Sequence, residues 1–217
     1  MSAMGLCERL QSVYERMYAQ LGPQHWWPGE TAFEVMVGAI LTQNTSWKNV
    51  ERAIDNLKGV GLLSLAALSA LPTGLLAEYI RPAGYYNIKA GRLHNLFTHI
   101  NQVHRGDLQA FLAQPLEPLR QALLSIKGIG PETADSILLY AANLPIFVVD
   151  TYTHRILSRH QLIDEDADYH QIQELFMDHL DPDPRLYNEY HALLVRVGNC
   201  YCKKTHPDCA HCPLQGV

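Results

Sequence analysis

Apolar residues recur at steps of three and four along nearly the whole chain, and this spacing constrains the fold more than any other feature. An α-helix places such residues on one face, because it turns once every ~3.6 residues. In the two clearest segments, the shared face carries Leu93, Leu96, Phe97, Ile100 and Val103, and then Leu119, Leu123 and Ile126. Proline and glycine separate the segments, and the one strand-like run, residues 146–149, is too short to build a sheet. The sequence therefore predicts an all-α protein of many short helices.

Composition limits the class of protein and its partners. The chain has 217 residues, 47% of them hydrophobic and 18% charged, which is typical of a globular protein with one large or two small domains. We find neither an apolar run long enough to span a membrane nor a signal peptide, so we expect a cytoplasmic protein with no membrane partner. The formal net charge of −5 argues mildly against a partner as acidic as DNA. A locally basic face can still bind nucleic acid on an acidic protein.

The segment 124–134, Leu-Ser-Ile-Lys-Gly-Ile-Gly-Pro-Glu-Thr-Ala, carries the most specific local signal. An apolar helix ends, Gly128 and Gly130 turn the chain, and Pro131 opens the next helix at its preferred first position. Backbone amides in such a turn, beside a helix N-terminus, suit a phosphate oxygen. An ordinary turn between two helices is the simpler interpretation. With Thr133 and a further apolar helix behind it, the segment resembles the helix-hairpin-helix motif of DNA-binding proteins.

Asp150 lies twenty residues beyond Gly130, in the run Phe-Val-Val-Asp-Thr that begins at Phe147. An aspartate at the start of a helix is ordinarily an N-cap, whose carboxylate accepts hydrogen bonds from free amides. The glycine hairpin and the Val-Asp-Thr element in this order are similar to the helix-hairpin-helix/Gly-Pro-Asp glycosylase superfamily, and specifically to its endonuclease III branch. The resemblance implies that Asp150 is catalytic. One carboxylate can fill both roles.

The resemblance extends over most of the chain and implies its organisation. Residues 33–45 look like the family's early helix, whose glutamine enters the DNA stack, and Gln43 matches it; residues 84–90 also look like a family segment. The implied architecture has a six-helix barrel at 30–140 and a second helical lobe that joins 1–29 to 141–217. The implied partner is double-stranded DNA containing a damaged base, bound by a monomer. The residues expected on the DNA face are Gln43, Lys127, Gly128, Gly130, Thr133 and Arg155, with Lys203 and Lys204.

Four of the five cysteines fall within thirteen residues at the C-terminal end, and Cys7 stands apart. In a cytosolic chain such a cluster favours metal or iron–sulfur ligation over disulfides. The spacing Cys202-x6-Cys209-x2-Cys212 matches the first three ligands of the family's [4Fe–4S] site. The fourth would fall one position beyond Val217. Three possibilities stay open: the fourth ligand lies there, Cys200 replaces it, or the cluster is lost. Zinc at the same cysteines is a further alternative.

Glu132 marks a departure from the family members that also cut the DNA strand. Those enzymes have a lysine at this position, which forms an imine with the sugar of the abasic site. A carboxylate cannot form an imine, so we expect base removal without strand cleavage. Lys127 lies nearby, but it precedes the glycines.

The three tryptophans bear on the identity of the base. They lie near Gln43 in sequence, as Trp26-Trp27-Pro28 and Trp47, and this pattern resembles the 3-methyladenine glycosylase subgroup, whose pocket is aromatic. Packing in the core is the simpler interpretation. The favoured function is hydrolysis of the N-glycosidic bond of a flipped, alkylated purine, with Asp150 stabilising the sugar cation. The alternatives are a bifunctional glycosylase/lyase for oxidised pyrimidines and a non-catalytic DNA-binding module.

Overall fold

The structure is a computed structural model that describes residues 5–217, and those residues form helices and loops without any β-strand. The all-α prediction is confirmed. The helices are α1 Leu6–Leu21, α2 Ala32–Leu41, α3 Trp47–Gly59, α4 Leu65–Ala70, α5 Thr73–Tyr79, α6 Tyr86–His104, α7 Leu108–Leu112, α8 Leu116–Leu124, α9 Pro131–Ser136, α10 Thr151–Arg159, α11 Tyr169–Met177 and α12 Pro184–Cys200. Short 3₁₀ turns cover Arg81–Ala83 and Cys209–His211, and a π-helical turn, Ile137–Ala141, continues α9. Within the described range no helix is both long and apolar enough to cross a membrane.

The chain forms two compact units. One is Pro28–Leu144, and the other joins the N-terminal segment up to Trp27 to Pro145–Val217. From the sequence we place the division near residues 30 and 140, and the assignment of a six-helix barrel and a second lobe to these two parts stays a prediction.

In the first unit, Pro28–Leu144, the central helix is α2. Every residue of α2 after Ala32 is buried, and α3, α6, α9 and the π-helical turn pack around it. Its one buried acid, Glu34, forms an ion pair with Lys58 at 2.9 Å. This ion pair offsets part of the cost of burying the Glu34 charge at the edge of an apolar core. A helix that is apolar on all sides must lie inside its unit, and the residues that follow α2 are therefore held in a fixed place.

Helices α6 and α8 supply the predicted core faces, with one exception. Leu93, Leu96, Phe97 and Ile100 are buried, whereas Val103 is 60% exposed. The expectation for Val103 is wrong because the last turn of α6 meets α7 through another side chain: the ring of His104 packs edge-on against Phe111.

The second unit has a core of aromatic rings. Phe147 and Phe176 stack with centroids 3.7 Å apart, and the Tyr190 ring meets both edge-on. The Tyr190 hydroxyl donates to the carbonyl of Leu10 in α1 at 2.8 Å, and burial raises the pKa of this phenol. This contact joins the two ends of the chain, because α1 packs on α12.

Residues 146–149 are buried, although they belong to no helix or sheet. One of their carbonyls is bonded by a side chain, since Gln173 Nε2 donates to the Phe147 carbonyl at 2.6 Å. Buried apolar side chains on this segment fix the point at which α10 begins. The residue at that point is Asp150.

Gly198 lets α10 and α12 approach closely. A Cβ placed there would lie 2.7 Å from Cβ of Tyr152, whose hydroxyl donates to Asn199 Oδ1 at 2.7 Å. We expect Gly198→Ala to lower the free energy of unfolding by about 1–3 kcal/mol, as overpacking does elsewhere. Urea denaturation measures the change. Gly91→Ala is the matched control: it lies inside α6 with open space around its Cα and should gain about 0.5–1 kcal/mol. Equal stability of the two variants would contradict the close approach.

Candidate active site and nucleic-acid interface

Asp150 is the N-cap of α10, as its position in the sequence predicts. Its Oδ1 accepts hydrogen bonds from the Thr153 backbone N–H at 2.7 Å and from the Thr153 hydroxyl at 2.9 Å. Thr153 is itself fully buried. The carboxylate therefore has one oxygen and one orientation fixed by the first turn of the helix, and its side chain is only 12% exposed.

The second carboxylate oxygen faces His191. His191 Nε2 lies 3.6 Å from Asp150 Oδ2, and its side chain is 7% exposed. Burial acts to raise the pKa of Asp150, but the interactions with His191 and Thr153 outweigh burial and hold that pKa below its ordinary value. Asp150 is consequently a carboxylate at neutral pH. Its contribution to stability is present above the ordinary aspartate pKa and is lost as the pH falls through the lowered one.

Only one of the two hairpin glycines has a backbone conformation that favours glycine. Gly128 has φ +99°, which disfavours any other residue, whereas Gly130 has φ −98° and ψ 179°, an extended conformation open to all residues. Pro131 occupies the first turn of α9, as expected. Within the described residues we find no acceptor for the N–H of Gly128 or of Gly130. Two amides of the turn are thus available to an external anion.

The carbonyls of the same hairpin face inward and are bonded. Asn95 Nδ2 donates to the Lys127 carbonyl at 2.9 Å, and Gln43 Nε2 donates to the Gly128 carbonyl at 3.2 Å. Gln43 Nε2 also donates to the Thr133 hydroxyl at 2.9 Å. The structure therefore brings together four predicted DNA-binding residues, which are Gln43, Lys127, Gly128 and Thr133, and adds Asn95.

Arg92 completes this group. Its Nη1 donates to Gln43 Oε1, and its hydrocarbon chain lies on Gly128, where a Cβ would be 3.0 Å from Arg92 Cδ. Arg92 and Asn95 are three residues apart on α6, which places them on one face of the helix.

Lys127 and Lys89 differ in whether their amines are accessible. Lys127 is exposed, and Glu132 is exposed in the first turn of α9. Burial, with repulsion from Arg92, lowers the pKa of Lys89 to about 8. Lys89 is nevertheless inaccessible, because it is 1% exposed and donates to the Leu41 carbonyl at 2.8 Å and the Ala83 carbonyl at 2.7 Å.

The four residues expected to form the base pocket are divided between the units. Trp26 and Trp27 meet edge-on, with centroids 5.5 Å apart, at the end of the N-terminal segment. Pro28 begins the other unit, and Trp47 opens α3 there, where its Nε1 donates to Glu51 at 2.8 Å. All three tryptophans are half-buried. A shared pocket stays a prediction.

Three cysteines lie in one loop after α12. Burial raises the pKa of the Cys212 thiol, a hydrogen bond with the Leu214 backbone acts to lower it, and the charges of Cys202, Cys209 and Asp208 raise it further. Cys200 is on the last turn of α12. Among residues 5–217 no three His, Cys, Asp or Glu side chains are grouped closely enough to hold a metal ion. Cysteine thiolates are the ligands that a [4Fe–4S] cluster uses, but the described side chains form no such donor set, so the cluster and its fourth ligand stay a prediction.

Two arginines of α10 hold this loop. Arg155 Nε donates to the Cys202 carbonyl at 2.7 Å, and Arg159 Nη1 donates to the Lys203 carbonyl at 2.8 Å and to the Cys202 thiol at 3.2 Å. Arg155, expected on the DNA face, therefore directs its guanidinium to the protein's own backbone. Lys203 and Lys204 remain exposed.

Free hairpin amides and a buried, ionised aspartate meet two needs of an enzyme that removes bases from DNA: binding of phosphate and stabilisation of positive charge. Residues 37–182 match the family described as HhH-GPD superfamily base excision DNA repair protein. The chain belongs to this superfamily and is a DNA glycosylase of the endonuclease III-like kind. The predicted superfamily and enzyme class are confirmed.

Individual relatives agree with this assignment. The chain is 47% identical over 210 residues to the "Putative DNA repair glycosylase MJ1434" of Methanocaldococcus jannaschii, covering 96% of this chain and 94% of that protein. It resembles the crystal structure of H. pylori 3-methyladenine DNA glycosylase (MagIII) bound to 1,N6-ethenoadenine, with TM-score 0.73, 30% identity, and coverage of 88% and 96%. An endonuclease III–DNA covalent intermediate has the same fold, with TM-score 0.83, 21% identity, and coverage of 97% and 94%.

Two residues of these sites are not predicted from the sequence. His191 lies among buried residues of α12, where a lone histidine is ordinarily core. Arg92 is a polar residue of an amphipathic helix and looks like a solvated one.

Proposed function

We propose that this glycosylase hydrolyses the N-glycosidic bond of a flipped, alkylated purine such as 3-methyladenine, and leaves the abasic strand uncut. The observation that carries the proposal is the Asp150 carboxylate, buried and held ionised by Thr153 and His191. A fixed negative charge in a poorly hydrated place stabilises positive charge that develops on a sugar better than the same charge in water.

The Asp150 carboxylate has a second task. As the bond breaks, a water molecule attacks the sugar, and the carboxylate can orient it or accept its proton. Oδ1 is committed to two hydrogen bonds with Thr153. Oδ2, which faces His191, is the oxygen that we assign to the water.

The choice of an alkylated purine rests on chemistry and likeness. Alkylation places a positive charge on the base and weakens its glycosidic bond, so such a base needs stacking and cation–π attraction more than protonation. Trp26, Trp27, Pro28 and Trp47 offer those surfaces. The likeness to H. pylori MagIII, a 3-methyladenine DNA glycosylase, supports the same class of substrate.

Strand cutting would need an amine that attacks the sugar. The hairpin carries Glu132 where a lysine would be required, and Lys89, whose pKa is lowered to about 8, is buried between two carbonyls. Mixing the protein with abasic-site DNA and borohydride should therefore give no covalent adduct. A strong adduct would support the bifunctional alternative instead.

The C-terminal loop plays a structural part in this proposal. A [4Fe–4S] cluster, if loaded, would be held by Cys202, Cys209 and Cys212 and would only stiffen the loop that carries Lys203 and Lys204. Arg155 and Arg159 already bond that loop to α10. Absorbance near 400 nm and iron content test for the cluster, and zinc would give neither signal. We propose that the enzyme acts on double-stranded DNA as a monomer.

Base release tests the proposal. Duplexes containing 3-methyladenine, hypoxanthine, thymine glycol or a mismatch are incubated with excess enzyme in parallel, and free base is measured by chromatography. We expect 3-methyladenine to be released fastest. Preferred release of thymine glycol would reassign the substrate to oxidised pyrimidines. Tight binding to DNA with no release of any base would indicate a non-catalytic DNA-binding module instead.

Gly130→Val tests the hairpin as a phosphate site. Because Gly130 has an unstrained backbone and open space around its Cα, the variant should keep its melting temperature within about 2 °C. It should nevertheless bind damaged and undamaged DNA more weakly by a similar factor, since the side chain blocks amides that contact phosphate and phosphate carries no sequence information.

Titration of both duplexes measures this effect. Gly128→Ala is the contrasting variant, because it is strained by φ +99° and collides with Arg92, so it should lose stability as well as affinity. Loss of binding to damaged DNA alone in Gly130→Val would place the hairpin at the base pocket.

A further inference from the structure

The amide of Gln43 is fully bonded within its own unit. Its nitrogen donates to the Gly128 carbonyl and the Thr133 hydroxyl, and its oxygen accepts from Arg92. A primary amide has two N–H donors and one oxygen, so every group is engaged and the orientation of the amide is fixed. Arg92 settles which end of the amide faces the hairpin.

Arg92 also touches the hairpin directly. Its hydrocarbon chain fills the space beside Gly128 that a Cβ would occupy. From the same face of α6, Asn95 holds the Lys127 carbonyl. The two consecutive carbonyls at 127 and 128 are thus held inward by α6 and Gln43. Because a carbonyl and the following N–H belong to one rigid peptide plane, Asn95 turns the Gly128 N–H outward. The Gly128 carbonyl shares its plane with the Ile129 N–H, which donates to the Ile126 carbonyl at 3.0 Å, so Gln43 fixes the peptide plane that lies between the two free amides.

We infer that Arg92 is a positioning residue for DNA binding, acting through Gln43 to fix the peptide plane between the Gly128 and Gly130 amides and so to hold the hairpin in the conformation that phosphate binding requires. The inference rests on the proposed function of the hairpin as a phosphate site. Arg92 does not need to touch DNA in this role. Its charge strengthens the bond to Gln43, since hydrogen bonds from a charged donor are about twice as strong as neutral ones.

A double-mutant cycle separates this role from a direct phosphate contact. Arg92→Met keeps most of the hydrocarbon cover over Gly128 and removes the guanidinium, and Gln43→Met removes the amide. Dissociation constants are measured for all four proteins on undamaged duplex at several salt concentrations. We expect Arg92→Met to weaken binding about tenfold in the natural background and less than about twofold in the Gln43→Met background.

The slope of affinity against salt gives a second readout. A residue that neutralises a phosphate lowers the slope by about one unit when it is removed. A positioning residue leaves the slope unchanged, because backbone amides release no counterions. Arg105→Met, at the far end of α6, removes the same charge without touching Gln43 and should leave affinity within about twofold.

If the melting temperature shows that Arg92→Met folds poorly, the cycle is repeated with Arg92→Lys. This variant keeps the positive charge and the hydrocarbon chain but loses the planar guanidinium.

Three results would each overturn the inference. They are losses of affinity that add in the double mutant, a salt dependence reduced by one unit in Arg92→Met, and an unchanged DNA affinity in Arg92→Met. Wild-type protein that binds undamaged duplex but releases no base would instead overturn the proposed function. The cycle remains readable in that case, because it needs binding alone.

Discussion

Asp150→Asn should reduce the single-turnover rate of base release by more than about a hundredfold while leaving the fold and DNA affinity nearly intact. The amide oxygen can still accept the hydrogen bonds from Thr153, and asparagine is as good an N-cap as aspartate. The negative charge is lost, however, and removing a preformed electrostatic partner of a transition state costs several kcal/mol.

The chain offers a matched control for this substitution. Asp168 is the N-cap of α11 and accepts from the Gln171 N–H at 2.9 Å, the same capping bond at an exposed position. Asp168→Asn should therefore keep the wild-type rate, which separates the loss of charge at Asp150 from the exchange of one helix cap for another. Retention of more than about a tenth of that rate in Asp150→Asn, less than ~1.4 kcal/mol of barrier change, would falsify the catalytic role.

Trp27→Ala and Trp47→Ala should slow excision about 5- to 150-fold, with a smaller effect on binding to the abasic product. Stacking of a base on an aromatic ring is worth about 1–3 kcal/mol, and the abasic product has no base to stack. Both rings are half-buried, so their truncation should cost less stability than truncation of a core aromatic. Single-turnover rates, product affinity and melting temperatures are compared for each variant.

Phe147→Ala calibrates the loss of a core ring. Phe147 is fully buried in the aromatic core and stacks on Phe176, so its truncation should cost about 3–5 kcal/mol of stability. If the tryptophan variants are destabilised as much as Phe147→Ala and excise bases at the normal rate once folded, the tryptophans are core residues. The base pocket would then have to be sought elsewhere.

Local sequence rules predict those features that depend on neighbouring residues. Helical spacing predicts the core faces of α6 and α8, and Asp150 is the cap of α10 because a carboxylate there meets the Thr153 amide one turn later. Val103 fails the same rule, because the side of the last turn of α6 that meets α7 is set by the packing of the whole unit.

Contacts between residues distant in sequence could not be predicted in this way. His191 reaches Asp150 from α12, and Arg92 reaches Gln43 from α6, across separations of 41 and 49 residues. Arg155 shows the converse problem. Its charge suggests a phosphate contact, but carbonyls at the end of α12 and in the following loop lie nearer and accept its N–H groups. A basic residue is informative about nucleic acid only when the protein leaves its charge free.

The most direct test of the central claim uses end-labelled duplex DNA treated with a methylating agent and then with excess enzyme, with half of each sample heated in alkali. The account predicts that free 3-methyladenine is released and that the labelled strand stays intact until alkali breaks it at the abasic sites. Asp150→Asn should give neither product. Strand breaks before alkali would contradict the absence of lyase chemistry, and no base release and no alkali-labile sites with bound enzyme would contradict the assigned reaction itself.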